Sequence, residues 1–540
     1  MKLGATPKAL KRWSGAQPLG CRSAGCGRGS ARFQQLSGFS QFCSLKAALR
    51  CGVRGAGGTC LSPVGQRGSL LVIVMWIAFG LVSLALYFGN SMNFELRASD
   101  NQVSGMAADQ AIEGAVRYLT YLATNQIANG SNGVFLTLDS SLCQAVPVGE
   151  SHYWLIGRDT NNPVGPGRLC FGLVDEASKL NLNMAASRAL VSSNQLIWLP
   201  QMTVDLTQAI LDWVSTNGTG PTVNYYSMQQ PPYQCKCDPF ETVDELRLLY
   251  GADMDTLVGE DANRNGILDP NETDANQNGM LDPGILDYVT VYSREPGSNL
   301  VNVSSVSSSS SQLIGLLQTN LSSSRASEIL ANLGLATAGP ARTSGGSGAA
   351  SRTGGAPSAG AAGSTPNRAA AATSVTFTSP LQFYVKSGMT STEFAQVGTN
   401  LTTTSGTYVN GRVNVNTASA AVLACLLNGD TGAAQTLVNY RQSNPLNLTS
   451  IAWIIDALGQ SYPDALQALE AGDFITTQSY QFTADIAALG PHGRGYRRVK
   501  FVFDTSDGTS KIVYRQDLTH LGWALGKQVR ENWVLATATR

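Results

Sequence analysis

The sequence predicts an α+β protein with a long N-terminal helix, strands toward both ends of the body, and mainly helical stretches between them. Three observations carry this. Ser69–Gly89 is a run of 21 uncharged residues that continues into an amphipathic pattern. Short runs rich in β-branched and aromatic residues follow, as "HYWLIGR" (152–158) and "RLCFGLVDEA" (168–177). Near the C-terminus "RVKFVFD" and "KIVYRQD" flank "TSDGTS", the pattern of an antiparallel hairpin.

The 540 residues carry 37 basic and 37 acidic side chains, but the charge is sorted. Residues 1–68 contain eleven Lys or Arg and no Asp or Glu, which leaves 26 basic and 37 acidic residues, a net of −11, in the rest. A basic head and an acidic body argue against a nucleic-acid binder. The uncharged run is long enough to span roughly 30 Å of hydrocarbon as a helix. With the basic residues before it, the head stays cytoplasmic and the body is exported. A secretory signal would be shorter and followed by a small-residue cleavage site, whereas this run passes directly into a charged helix.

That helix is expected to persist to about Thr124, a rod of roughly 80 Å. Ala107, Ala111, Ala115, Tyr118 and Leu122 define its apolar face, with Asp109, Glu113 and Arg117 opposite. Beyond it, "LDYVTVY" (286–292) reads as a further strand. "VDLTQAILDWVST" (204–216), "TVDELRLLYG" (242–251) and "SAAVLACLL" (419–427) read as helical. A phrase recurs at 179–189, 299–308 and 412–423, an extended Asn-containing segment followed by a Ser/Thr/Asn cap candidate and, in the first and third, an apolar helix start, which suggests a duplicated strand-to-helix unit. Residues 337–374 are almost wholly Gly, Ala, Ser, Thr, Pro and Arg and read as a disordered linker.

"DANRNGILDPNE" places Asp261, Asn263, Asn265, Gly266, Asp269 and Glu272 at positions 1, 3, 5, 6, 9 and 12 of a calcium loop, with Ile267 offering its carbonyl at 7. Calcium takes six to eight oxygens, and the glycine permits the turn that gathers them. "DANQNGMLDPGI" restarts the pattern with Asp274, Asn276, Asn278, Gly279, Met280 at the carbonyl position, and Asp282. Ile285 stands at its twelfth place, and Asp287 is the expected substitute carboxylate. Ca2+ is therefore the expected cofactor.

Ten cysteines divide evenly between head and body. In an oxidising compartment Cys143 and Cys170 are a plausible pair, while Cys235 and Cys237 stay open between bonding elsewhere and remaining free. With three His, a Cys/His zinc site is not expected. No hydrolase triad, phosphate-binding glycine loop or paired-carboxylate signature is present, so no enzymatic activity is expected. "GPHGRGYRRVK" (490–500) is basic and glycine-rich but opens a strand, which excludes a P-loop. The segment from Val413 resembles helix-hairpin-helix modules, including those of DNA-uptake receptors. Its hairpin is "NGDTG", with Asp430 where a phosphate would sit, so no nucleic-acid partner is expected and a membrane-anchored DNA-uptake protein is the alternative reading.

The basic leader, Gly68 and the apolar helix running into an amphipathic extension together resemble a prepilin. That resemblance implies cleavage by prepilin peptidase between Gly68 and Ser69 and methylation of the new N-terminus. Most of that family carries glutamate at the fifth residue after the cut, where this sequence has Ile73. With that absence, "LVDEASKLNLNMA", "AILDWVS", "QPPYQCKCDPFETVDELRLLYG", "GRVNVNTASAAVLACL" and the terminal "RRVKFVFD" and "KIVYRQDLTHLGW" are similar to general secretion pathway protein K, the minor pseudopilin of type II secretion. The resemblance implies a pilin-like fold, a long helix packed on an antiparallel sheet with a large mainly α-helical inserted domain. It also implies calcium in the globular part. The expected partners are other minor pseudopilins, the major pseudopilin, prepilin peptidase and the bacterial inner membrane, crossed once with the body in the periplasm.

The expected organisation is a leader at 1–68, a helix at 69–125 with its transmembrane part at 69–89, and a first sheet portion at 126–178. A helical insertion follows at 179–285, with calcium loops at 261–285. Then come a strand and second helical repeat at 286–336, the linker at 337–374, a further helix-hairpin-helix-like region at 375–485 and a C-terminal hairpin at 486–540. The leader is far longer than those of the family, and no methionine lies between Met1 and Met75, so a start at a non-Met codon such as Val64 is one explanation.

Overall fold

The computed structural model describes residues 69–158, 169–184, 193–279, 281–307, 309–335 and 374–538. Gly68, the leader, residues 159–168, Met280 and all but the last residue of the expected linker lie outside them. The chain divides into two units, one reaching Val82 and the other from Ser83 onward. In the first, the described residues are helical, and those from Leu70 to Val82 are all exposed, most of them apolar. They open helix α1, Ser69–Ala128, the one described helix long and apolar enough to cross a membrane.

In the second unit α1 changes character. Its buried stripe is Ser104, Ala108, Ala111, Ile112, Ala115, Val116, Leu119 and Ala123, at the three- and four-residue spacing of one helical face. This is rotated by about one residue from the expected face: Tyr118 is exposed, and Ala107 and Leu122 are only half-buried. The small alanines select the face, because they let the helix lie close on the sheet beneath it.

That sheet contains β1 (Val146–Val148), β2 (Ser151–Ile156), β3 (Val174–Asp175), β4 (Gln481–Leu489), β5 (Arg497–Asp504) and β6 (Lys511–Asp517). All pairings are antiparallel, in the order β1-β2-β4-β5-β6, with β3 continuing the edge of β4 that β2 leaves free. The expected hairpin is β5–β6, and "HYWLIGR" supplies β2. "RLCFGLVDEA" gives only the two residues of β3 plus a single bridge at Phe171, and "LDYVTVY" only Val289–Thr290. The central strand β4 crosses the boundary expected at 485/486. Its Phe482, Ala484, Ile486 and Ala488 pack with Val499, Phe501 and Phe503 against α1, while Gln481, Thr483 and Asp485 point to the other face, also buried.

The region from Leu180 to Ile475 shares one apolar core, so the segments expected as separate at 286–336 and 375–485 are not independent. Within it the recurring phrase becomes three copies of one device. Leu180–Asn181 pairs in parallel with Val289–Thr290, Val301–Asn302 with Leu401–Thr402, and Val413–Asn414 with Ile475–Thr476. In each, the Asn side chain accepts from the backbone N–H two residues on, at 3.0, 2.8 and 3.0 Å. In each, the closing Thr does the same, at 3.2, 3.1 and 3.1 Å. Three helical units are thus closed by the same two-residue parallel clasp. The insertion meets the sheet at Asp175, whose buried carboxylate accepts from Ala177, Asn414, Thr417 and Ser479.

The basic glycine-rich segment is a clamp on α1. Gly495 has φ +66°, and a Cβ there would stand 2.3 Å from the Gly105 nitrogen, so only glycine permits the approach. Arg494 and Arg497 flank it, reaching Asp100 at 3.1 Å and Asp109 at 3.5 Å. Gly495→Ala is expected to destabilise the protein by about 2 kcal/mol or more, read as a lowered urea midpoint. An unchanged midpoint would refute the clamp.

Candidate functional site

The first of the two acidic loops lies on the sheet face opposite α1. Its residues Asp261, Asn263, Asn265 and Asp269 are all buried. Gly266 and Gly279, at the sixth places, have φ of +82° and +74°, the left-handed turn that the loop pattern requires. Asp261 accepts from the Asn265 N–H at 2.9 Å and the Gly266 N–H at 2.7 Å. Asp269 Oδ2 accepts from the Asn263 and Asn265 amides, both at 2.8 Å. Glu272 closes the loop, accepting from the Asn263 and Asp269 N–H groups at 3.1 and 2.9 Å. Burial pushes the Asp261 and Glu272 carboxyls above the usual carboxylate range.

Among the described residues no three Asp, Glu, His or Cys side chains converge as a metal cluster. The donor set nevertheless fits a hard cation. Asn263 Oδ1 is buried without a hydrogen-bond partner, beside carboxylates at the first and ninth positions. Such oxygens match calcium's preference, and an orphaned buried acceptor is costly unless something satisfies it.

The second loop repeats the pattern at the surface. Asp274 accepts from Gly279 N–H at 2.8 Å, and Asn276 and Asn278 turn their amides to Asp282. The expected substitute for Ile285 is not used: Asp287 pairs with Arg158 at 3.1 Å. Glu260 takes that role instead, accepting from the Ala275 and Asp282 N–H groups at 2.7 and 3.1 Å. The carboxylate that braces the second loop is therefore the residue just before the first, and the two loops interlock. Counting forward from each loop's start leads away from it.

The first loop is bolted to the sheet. Arg498 of β5, fully buried, donates to Asp485 of β4 at 2.8 Å and to the carbonyls of Asn263 and Arg264. Asn263 and Asn265 donate to the carbonyls of Trp523 at 3.4 Å and Ala524 at 3.2 Å. Those carbonyls belong to the segment after β6, whose Ala524 and Leu525 cover Trp154, Ile156, Ala487 and Leu489. Sequence reasoning missed Arg498 because one arginine in a strand carries no spacing signal.

At the other end, Ser69 opens α1 and Ile73 is 55% exposed in its first turns. Gly68 lies outside the described residues. Cys143 is in no disulfide, so the expected pairing with Cys170 is not formed. Cys143 sits in the core under α1 while Cys170 lines a cavity on the opposite side of the sheet, so the sheet separates them. Burial pushes the Cys143 thiol up to about 11. In the third repeat Asp430 caps Thr431–Ser443 through the Ala433 N–H at 2.9 Å. A carboxylate thus holds the position that a helix-hairpin-helix module offers to phosphate.

Arg498→Met would leave Asp485 and two carbonyls buried without their donor. It is expected to cost about 3–5 kcal/mol, read from chemical unfolding. A loss of less than about 1 kcal/mol would show that the bolt is dispensable.

Residues 172–258 match a domain described as type II secretion system (T2SS), protein K, and residues 413–469 match a second domain of the same description. A chain from the crystal structure of the GspK-GspI-GspJ complex of the enterotoxigenic Escherichia coli type 2 secretion system is 9% identical, with a TM-score of 0.35. That match covers 78% of this chain and 98% of the other, and is too weak a likeness to carry an argument. No curated protein matches significantly in sequence.

Proposed function

We propose that this chain, two segments of which match type II secretion protein K domains, is a member of that family and the minor pseudopilin at the tip of the pseudopilus. There it helps to initiate assembly with other minor pseudopilins and the major pseudopilin, and so serves export of folded proteins across the outer membrane. The observation that carries this reading is Ile73, an apolar residue at the fifth place of a helix that begins apolar and ends packed on a sheet.

The physical logic is electrostatic. Packed into an apolar bundle, an N-terminal amine is costly unless an acidic group neutralises it. A subunit with isoleucine in place of that acid has none to offer a neighbour stacked above it. The end of the filament is then its natural place, and a bulky inserted region is accommodated there. On this reading α1 crosses the inner membrane once and the body lies in the periplasm.

Maturation follows from the same reading. Prepilin peptidase cuts between Gly68 and Ser69, the leader is lost, and Ser69 is N-methylated. Calcium would be held by Asp261, Asn263, Asn265, Asp269, Glu272 and the Ile267 carbonyl, and in the second loop by Asp274, Asn276, Asn278 and Asp282. Glu260 stands there in place of Asp287. The cation would supply fixed positive charge that neutralises the buried carboxylates and rigidifies the junction; its role is structural and the protein is not an enzyme.

Mass spectrometry of the protein purified from cell membranes tests the processing claim. The expected N-terminus is N-methylated Ser69; an intact leader would contradict the reading. The position is tested by Ile73→Glu: incorporation along the filament rather than at its end is expected, by immunogold labelling. Unchanged placement would remove the electrostatic argument.

A further inference from the structure

Two thiols stand side by side in "YQCKCD" (233–238). With one residue between them, Cys235 and Cys237 have Cα atoms no more than about 7 Å apart, close to the span a disulfide accepts. The fold turns both sulfurs toward the same piece of chain. Cys235 Sγ donates to the carbonyl of Asp212, near the end of the helix Val204–Val214, at 3.8 Å. Cys237 Sγ packs against Gly218 just beyond that helix, 3.8 Å from where a Cβ would stand.

Cys237 has φ +49°, a left-handed conformation uncommon for a residue with a side chain. The two thiols are in hydrogen-bonding contact, and burial pushes that of Cys235 up to about 11. The surrounding chain is fixed. Lys236 pairs with Glu241 at 3.4 Å and Glu245 at 3.1 Å, and the Asp238 N–H donates to the Trp213 carbonyl at 3.1 Å. Both cysteines are half-buried and open to a reagent, whereas Cys143 and Cys425 are fully buried.

We infer that Cys235 and Cys237 form a reversible dithiol–disulfide pair. One cysteine loses its proton and attacks a sulfur of an incoming disulfide, small or protein-borne, expelling one half as a thiolate. The other cysteine then loses its proton and displaces the second half. Two thiols are thereby oxidised to one S–S bond, and the incoming disulfide is reduced to two thiols. A bridge that closes so short a loop removes little entropy from the unfolded chain, so its role is exchange and not bracing. The pair rests on its own geometry and stands or falls without reference to the filament.

The test takes the full chain in a nonionic detergent, reduced and freed of reductant, and exposes it to oxidised glutathione. It is then blocked with N-ethylmaleimide and digested for mass spectrometry without reduction. The expected product, cleaved or uncleaved after Lys236, carries neither maleimide nor glutathione at Cys235 and Cys237 and is two hydrogens lighter than the dithiol. Dithiothreitol in native buffer is expected to return both thiols. Cys235→Ser is expected to accumulate glutathione on Cys237 about tenfold above the unsubstituted chain, because no second thiol is left to displace it. Maleimide or glutathione on both cysteines of the unsubstituted chain, or a link from either to Cys143, Cys170 or Cys425, would overturn the assignment. The digest of the unsubstituted chain decides the matter even if Cys235→Ser fails to fold.

Discussion

The architecture depends on one buried guanidinium. Arg498 lies in β5, is fully buried, and spends its donors on Asp485 of the neighbouring strand and on two carbonyls of the first acidic loop. A buried arginine is tolerable only when its charge and its donors are all satisfied, so sheet and loop specify each other's positions. The C-terminal segment joins the same arrangement through the carbonyls of Trp523 and Ala524. Three parts of the chain distant in sequence therefore meet at one polar junction, with α1 on the other side of the same sheet.

A second constraint is the parallel clasp repeated three times in the helical region. Each copy uses one Asn and one Thr to turn the chain sharply just after a two-residue strand. Parallel pairs require a long crossover, and each crossover here is a set of helices that contributes to one core. This gives a large insertion that enters beside β3 and leaves into β4, two strands that pair with each other in the sheet.

Much of this was legible in the sequence. The apolar helix, the β5–β6 hairpin and the acidic loops follow from charge-free length, alternation and Asp/Asn spacing, all of which are local. What escaped was set by tertiary contacts. Strand β4 is not legible because "QFTADIAAL" carries three Ala and one Asp, residues depleted in strands, and both its faces are buried, one of them polar. The packing face of α1 was misplaced by about one residue because alanines recur on neighbouring positions of the helix. Asp287 was assigned to the second loop from its proximity in sequence, yet Arg158, 129 residues away, claims it. The exchange of Glu260 into the second loop reverses the expected order of the chain. The thiol pairing failed for a similar reason: spacing says nothing about which side of a sheet a side chain takes.

The central claim is that the first acidic loop, loaded with calcium, fastens the helical region to the sheet through Arg498. Hydrogen–deuterium exchange of the protein with calcium and after chelation addresses it most directly. The account predicts that chelation raises exchange together in residues 261–272, in β5 and in Trp523–Leu525. Faster exchange confined to 261–272, with β5 and the C-terminal segment unchanged, would contradict it.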